Sequence, residues 1–263
     1  MLDIRNISFT YGKGNYVLND FSFSISKGGV YGLLGRNGVG KSTLLYLIAG
    51  LLTPDRGEVL LNGDNTRRRH PSTLSQIFIV PEEFDLPAIS LKRYVGLYAP
   101  LYPRFSYADM KRYLEMFELN DDINLGRLSM GQKKKAYMSF ALACNTPILL
   151  MDEPSNGLDI PGKSAFRRVV SASASDERII IISTHQVRDI DHILDHILVM
   201  SNSNVVLDAS VSEITNRLSF LTTNEPSLID RALFTMPSPE GWSIVVENTD
   251  NNDTDLNLET LFG

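Results

Sequence analysis

Cysteine is almost absent from this chain: Cys144 is the only one among 263 residues. An internal disulfide is therefore excluded, and the lone thiol reads as a small buried hydrophobe in a reducing, cytosolic protein. Long apolar runs are lacking too. The longest uncharged stretch, Ala136 to Met151, is interrupted by Ser139, Asn145, Thr146 and Pro147 and stops at Asp152, so it fails as a membrane helix. The opening MLDIRNISFT holds Asp3 and Arg5 where a secretory leader would place its apolar core, so no leader is expected. On that expectation the glycosylation patterns Asn6-Ile7-Ser8 and Asn252-Asp253-Thr254 carry no weight. Positive charge is scarce: 25 Lys and Arg stand against 31 Asp and Glu, a net charge of −6. A basic face made for gripping nucleic-acid backbone is not expected from that balance.

What is present is ordinary for a folded domain. Apolar residues make up 43% and charged residues 21%, which excludes wholesale disorder. The length allows one large domain or one domain with a small appendage. Residues Ile7–Tyr11 and Phe21–Ile25 alternate as paired strands about a Gly12-Lys13-Gly14-Asn15 turn. An apolar run, Val30 to Leu34, leads through a glycine-rich loop into a helix that stops at Thr53-Pro54. Glu58–Leu61 with Asn62-Gly63 reads as part of a hairpin, Arg67-Arg68-Arg69 as a solvated basic loop, and Ile77–Val80 as a strand ending at Pro81.

From about Phe84 to Leu128 apolar residues recur at helical spacing, and the helical pattern continues from Gly131 to Cys144. This predicts a helical insert over about 84–145. Buried strands are expected at Ile148–Met151 and Ile179–Ile182, separated by a helix. Strands alternating with helices predict an α/β fold with a mostly parallel sheet covered on both faces. After Asn202 serine and asparagine rise. A short helix at Val211–Leu218, a strand at Trp242–Val246 and the polar run ENTDNNDTD suggest a small appended module.

Gly35-Arg36-Asn37-Gly38-Val39-Gly40-Lys41-Ser42 fits G-x-x-x-x-G-K-[ST] between a strand and a helix, the context that the pattern requires. Glycines let successive N–H groups turn around a phosphate, and the helix N-terminus adds unpaired donors. The phosphates of a nucleoside triphosphate are thus expected against Asn37, Gly38, Val39, Gly40, Lys41, Ser42 and Thr43. Lys41 would bridge the outer phosphates and the Ser42 hydroxyl would hold Mg²⁺. In ILLMDEPSNGLD, Asp152 leaves a buried strand where it can complete the metal shell, and Glu153 can orient or deprotonate a water in line with the terminal phosphate. His185 leaves the next buried strand at the same edge, suiting a contact with that phosphate.

Leu128-Ser129-Met130-Gly131-Gln132 opens a helix some twenty residues before Asp152, with Ser129 placed to cap it. Here the chain resembles the nucleotide-binding domain of ATP-binding-cassette (ABC) proteins, whose hallmark at this place is LSGGQ. The resemblance covers about residues 1–215. It rests on five ordered elements: an aromatic near the start, GRNGVGKST, LSMGQ, LLMDEP with NGLD, and STH. It implies a P-loop NTPase core with an antiparallel β subdomain on the N-terminal side, the helical insert, and residues 216–263 as an appendage. It also implies ATP with Mg²⁺ and head-to-tail pairing with a second copy or a similar chain. Each ATP would lie between one chain's Lys41 and the other's Ser129, Gly131 and Gln132, with Asp159 contacting across the pair. Tyr11 would stack on adenine, the alternative being a strand residue in the core.

Two departures stand out. Glu82 occupies the place of the family's usual Gln, keeping an acceptor for the metal while losing the amide donors and adding charge. Met130 replaces a glycine where the family tolerates change. LYPRFSYADMKRYLEMFEL and the closing LETLF also look like stretches of ATPases from small bacterial export systems. The expectation is a transporter ATPase at the inner face of the cell membrane, working with separate permease subunits, by export and without nucleic acid. The alternative is a soluble regulatory or nucleic-acid-associated ATPase. A P-loop kinase would leave LSMGQ and Glu153 unexplained.

Overall fold

The computed structural model describes residues 1–12, 14–249 and 254–262. Lys13 of the first turn, and residues 250–253 of the polar run and of the second glycosylation pattern, lie outside them.

The chain opens with β1 (Leu2–Phe9), β2 (Leu18–Ile25) and β3 (Gly29–Leu34), followed by α1 (Lys41–Ile48). Next come β4 (Arg56–Leu61), β5 (Asp64–Asn65), the short α2 (Pro71–Leu74) and β6 (Ile77–Val80). The expected insert contains α3 (Leu91–Tyr98), α4 (Tyr107–Met116) and α5 (Met130–Ala143). Alternation then resumes with β7 (Ile148–Asp152), α6 (Ile160–Ser173), β8 (Ile179–Thr184), β9 (His196–Ser201) and β10 (Asn204–Ser210). The chain continues through α7 (Val211–Arg217), β11 (Leu218–Thr223), α8 (Pro226–Ile229), β12 (Phe234–Ser238), β13 (Gly241–Glu247) and α9 (Leu258–Phe262).

Among the described residues three sheets result. The central one has six strands in the order β10-β9-β3-β8-β7-β6, parallel except where β10 runs antiparallel to β9. Its inner strands are apolar on both faces because both faces are covered. Ile180 and Ile182 of β8 join one core cluster with the insert, whereas Ile179 and Ile181 join the other with α1 and β1. Consecutive residues of a strand point to opposite sides, so a single run of isoleucines serves both cores. A second, antiparallel sheet, β2-β1-β4-β5, covers α1 from outside. Asn62 and Gly63 turn its β4–β5 hairpin with φ of 50° and 90°, the left-handed pair that a two-residue hairpin loop demands.

The insert is joined to the sheet through aromatic rings. Phe140 of α5 meets Tyr94 at 5.2 Å, Phe105 at 5.4 Å and Phe78 of β6 at 5.9 Å between ring centres. Such pairs contribute about 0.5–1.5 kcal/mol each beyond their buried area. They fix the direction of α5 and hence the position of its N-terminus.

β9 and β10 were not expected from the sequence. Their turn is Asn202-Ser203, with φ of 47° and 67°, so the left-handed geometry is present without the glycine that usually announces it. The tail also holds more than one strand and a helix, since β11, β13 and β12 form a third antiparallel sheet. Phe220, Val245, Leu256 and Leu258 from this tail enter the same core cluster as Val187 and Ile190. Among the described residues no helix is long and apolar enough to cross a membrane.

Candidate nucleotide site

β3 ends at Leu34, and the loop from Gly35 to Gly40 carries the chain back into α1, one residue earlier than the predicted start at Ser42. Gly38 and Gly40 have φ of 83° and 104°, a region that other residues enter only under strain. A Cβ on Gly40 would also stand 3.1 Å from Val17 and 3.2 Å from Leu18. Lys41 is buried and its Nζ donates to the carbonyls of Gly35 at 2.8 Å and Arg36 at 3.2 Å. Burial lowers the pKa of that ammonium, opposed by the charges of Glu153, Asp152 and Glu82.

β7 delivers Asp152, which is 2% exposed, beneath the same loop. Its carboxylate accepts from the hydroxyl of Ser183. Burial raises its pKa; the hydroxyls of Ser183 and Ser42 pull it down, and Glu82 and Glu153 push it up again. Among the described residues it has no ion-pair partner within 4.0 Å. A desolvated carboxylate touching a serine hydroxyl, with Glu82 nearby, supplies hard oxygen donors suited to magnesium. No group of three or more His, Cys, Asp or Glu among the described residues could hold a metal alone.

Glu153 follows with φ of 43°, a left-handed conformation that costs a non-glycine residue roughly 1–2 kcal/mol. Its N–H donates to Ser183 O at 2.9 Å. One carboxylate oxygen accepts from Thr184 Oγ1 at 2.8 Å, and the other meets the His185 backbone N–H at 3.0 Å and Nδ1 at 2.7 Å. Tyr11, Asn37, Gly38, Gly40, Lys41, Ser42, Thr43, Glu82, Glu153 and His185 all line one cavity of about 490 Å³. Tyr11 lies beyond the end of β1 and is 67% exposed, so it is no core residue; its hydroxyl lies 3.0 Å from Thr43 Oγ1. Val39 does not line the cavity and packs against the core beneath the loop.

The other predicted group stands apart from that cavity. Ser129 caps α5, which starts at Met130, one residue before the earliest expected position. Its hydroxyl accepts from Gln132 N at 3.3 Å, while Gln132 Oε1 accepts from Ser129 N at 3.1 Å. This reciprocal cap holds the helix end open to solvent, with Ser129, Met130 and Gln132 exposed and Gly131 half-buried. Asp159 caps α6 through Gly162 N at 3.0 Å and pairs with Lys135 of α5 at 3.4 Å. The hydrogen bond from Lys135 is the main reason its carboxyl is held below its ordinary pKa.

The family model for "ABC transporter" matches residues 18–156, more than half of the chain. The chain belongs to the ABC transporter family. It is 28% identical to the lantibiotic transport ATP-binding protein SrtF of Streptococcus pyogenes over 225 residues, covering 79% of this chain and 90% of the relative. It is also 28% identical to the Nod factor export ATP-binding protein I of Burkholderia lata, over 80% of this chain and 70% of that one. A solved ATP-binding subunit of an ABC transporter superposes with a TM-score of 0.72 at 26% identity, over 81% of this chain and 91% of that one. The present chain is accordingly an ABC ATPase with a P-loop NTPase fold, and ATP-driven transport with membrane partners is the function of its family.

Around the cavity of this ABC ATPase runs a polar network that the sequence did not disclose. Glu82 Oε1 accepts from Asn156 Nδ2 at 2.9 Å, and Asn156 Oδ1 accepts from Gln186 Nε2 at 2.9 Å. Gln186 Oε1 in turn accepts from Lys163 at 3.1 Å. Lys134, buried on α5, reaches the turn after β7. Asn156 is the first residue of NGLD and Gln186 follows STH, which was the only signal for them.

Proposed function

We propose that this ABC ATPase powers export through separate membrane subunits, working as a head-to-tail dimer that ATP closes and hydrolysis reopens. The observation that carries this reading is the division of the site. Lys41, Ser42, Glu82, Glu153 and His185 share one cavity, whereas Ser129, Gly131 and Gln132 at the capped start of α5 and Asp159 at that of α6 lie outside it. An anion-ready helix N-terminus facing solvent invites the phosphates held by another copy.

In this reading Tyr11 stacks on adenine, and residues Asn37 to Thr43 bind the phosphates. Ser42, Asp152 and Glu82 hold Mg²⁺, which would supply positive charge to the outer phosphate oxygens. Lys41 turns from the Gly35 and Arg36 carbonyls toward the terminal phosphate. Glu153 accepts a hydrogen bond from the attacking water and takes its proton as the new P–O bond forms and the bond from the terminal phosphorus to the bridging oxygen breaks, leaving that electron pair on ADP and giving inorganic phosphate. His185 orients Glu153 and contacts the same phosphate. ADP leaves as the other product, and the pair loses the nucleotide that held it together.

The ATPase domain is taken as residues 1–215 with its insert at about 84–145, and residues 216–263 as an appendage, the division falling in the last turn of α7 just before β11 starts a new sheet. The membrane subunit is assigned to a second cavity of about 440 Å³ between β6 and the insert. Leu51, Leu74, Phe78, Leu101 and Tyr102 line it, with Leu51 54% and Leu101 60% exposed, so an apolar segment of a partner can sit there. Docking there would hold the chain at the inner face of the membrane. Export is favoured by what these relatives do, lantibiotic transport and Nod factor export.

Crosslinking tests the pairing. Chains carrying Ser129→Cys mixed with chains carrying Gly38→Cys, in a Cys144→Ala background, are expected to join efficiently only when ATP and Mg²⁺ are present. Crosslinking indifferent to nucleotide would overturn the head-to-tail site. Copurification with a polytopic membrane protein, lost in Leu101→Asp, tests the transporter role. A chain that instead copurifies with nucleic acid would favour the soluble alternative.

A further inference from the structure

Lys134 is 4% exposed, and its ammonium donates to the carbonyl oxygens of Glu153 at 3.2 Å and Asn156 at 2.9 Å. Both acceptors belong to the turn that follows β7. The carbonyl of Glu153 also accepts from Asn156 N at 3.2 Å, so two donors fix the peptide immediately after Glu153. No carboxylate oxygen of the described residues lies within 4.0 Å of this ammonium. Its favourable charges are Glu82, Glu153 and Asp152 at longer range.

Burying an ammonium is costly, and an apolar side chain would fill the same volume more cheaply. Lys134 supplies what an apolar chain cannot: two charge-assisted hydrogen bonds to one turn. That turn needs them, because Glu153 sits there in a left-handed conformation. The direction of the carbonyl after Glu153 is set by the same backbone rotation that aims its side chain at Thr184, His185 and the cavity.

We propose that Lys134 is a positioning residue for ATP hydrolysis, holding the turn that aims the Glu153 carboxylate into the cavity. This rests on the reading of Glu153 as the group that acts on water. Lys134 lies five residues beyond Ser129 on α5, so the contact also joins the signature helix to that carboxylate within one subunit.

Lys134→Met removes both donors and keeps most of the stem. Its kcat is expected to fall about 10- to 100-fold, the scale of a misaimed catalytic group, while KM for ATP stays within about threefold. Lys134→Arg retains two donors and should recover most of the lost kcat, whereas Lys134→Gln should recover little. In single turnover on a Glu153→Gln background, Lys134→Met should change the rate less than about twofold, because nothing is left to aim. Wild-type kcat in Lys134→Met overturns the proposal, as does an equal loss in the Glu153→Gln background. If Lys134→Met does not fold, the Arg and Gln variants decide: equal kcat in the two would overturn it. Wild-type turnover by Glu153→Gln alone would instead refute the reading of Glu153, so the two failures are distinguishable.

Discussion

The carboxylate of Glu153 stands 2.7 Å from Nδ1 of His185 while its other oxygen accepts from Thr184. Parallel pairing of β7 with β8 places Asp152 opposite Ser183, so the two strands end side by side and release Glu153 and His185 at one edge. The adjacency follows from register rather than from a loop finding its shape. It also leaves Glu153 only 5% exposed, with both oxygens engaged.

Replacing Glu153 by Gln keeps the shape and one acceptor oxygen but removes the proton acceptor. ATP should bind normally while turnover falls at least about 100-fold, the usual yield of a positioned base. The variant should then accumulate as a dimer on a sizing column in ATP and Mg²⁺. Normal turnover would show that the base lies elsewhere.

Lys41→Ala removes the only lysine or arginine that lines this cavity among the described residues. A charge-assisted hydrogen bond to phosphate contributes about 1.5–3 kcal/mol, so ATP affinity should fall roughly 10- to 100-fold. Titration with a fluorescent nucleotide reads this directly, and unchanged affinity would contradict the phosphate-loop assignment.

How much of this was legible depended on whether a residue's partner lies close in sequence or in the fold. Gly38 and Gly40 were legible because φ values of 83° and 104° restrict the residue type. Asp152, Glu153 and His185 were legible because apolar runs identify buried strands, and polar residues ending such runs emerge at a sheet edge. Lys134 was not, since in the run Lys133-Lys134-Lys135 nothing marks one ammonium as buried. Its acceptors lie 19 and 22 residues downstream and meet it only when α5 packs beside β7. The hairpin of β9 and β10 carries no such mark, because Asn202-Ser203 takes the left-handed turn without the glycine that usually signals it.

Glu82 offers a narrower test. Its Oε1 accepts from Asn156, a bond that glutamine can also accept, and it lines the cavity without an ion-pair partner among the described residues. Glu82→Gln should therefore leave ATP turnover of the isolated chain within about tenfold, a barrier change near 1.4 kcal/mol. A larger loss, measured by phosphate release at saturating Mg²⁺, would give the carboxylate charge itself an essential part.

Cys144 connects the packing of the insert to pH. The thiol is 0% exposed at the C-terminal end of α5, and burial raises its pKa above the ordinary 9.0, with Arg178 pulling the other way. In the unfolded chain the thiol ionises near 9.0, while in the fold it keeps its proton. Stability from this group is therefore complete below that pH and is lost as pH rises toward the native value. The slope is about 1.4 kcal/mol per pH unit for one proton. Buried Tyr94, Tyr102 and Tyr137 are shifted in the same direction from 10.0, while Arg178, pushed down to about 10 by burial, acts oppositely, so between pH 9 and 10 the cysteine is read from the difference between the native chain and Cys144→Ala. Urea midpoints across that window should decline in the native chain and flatten in Cys144→Ala, and thiol reagents should label Cys144 only as fast as the insert opens. A decline of equal steepness in Cys144→Ala would assign the alkaline loss to other groups.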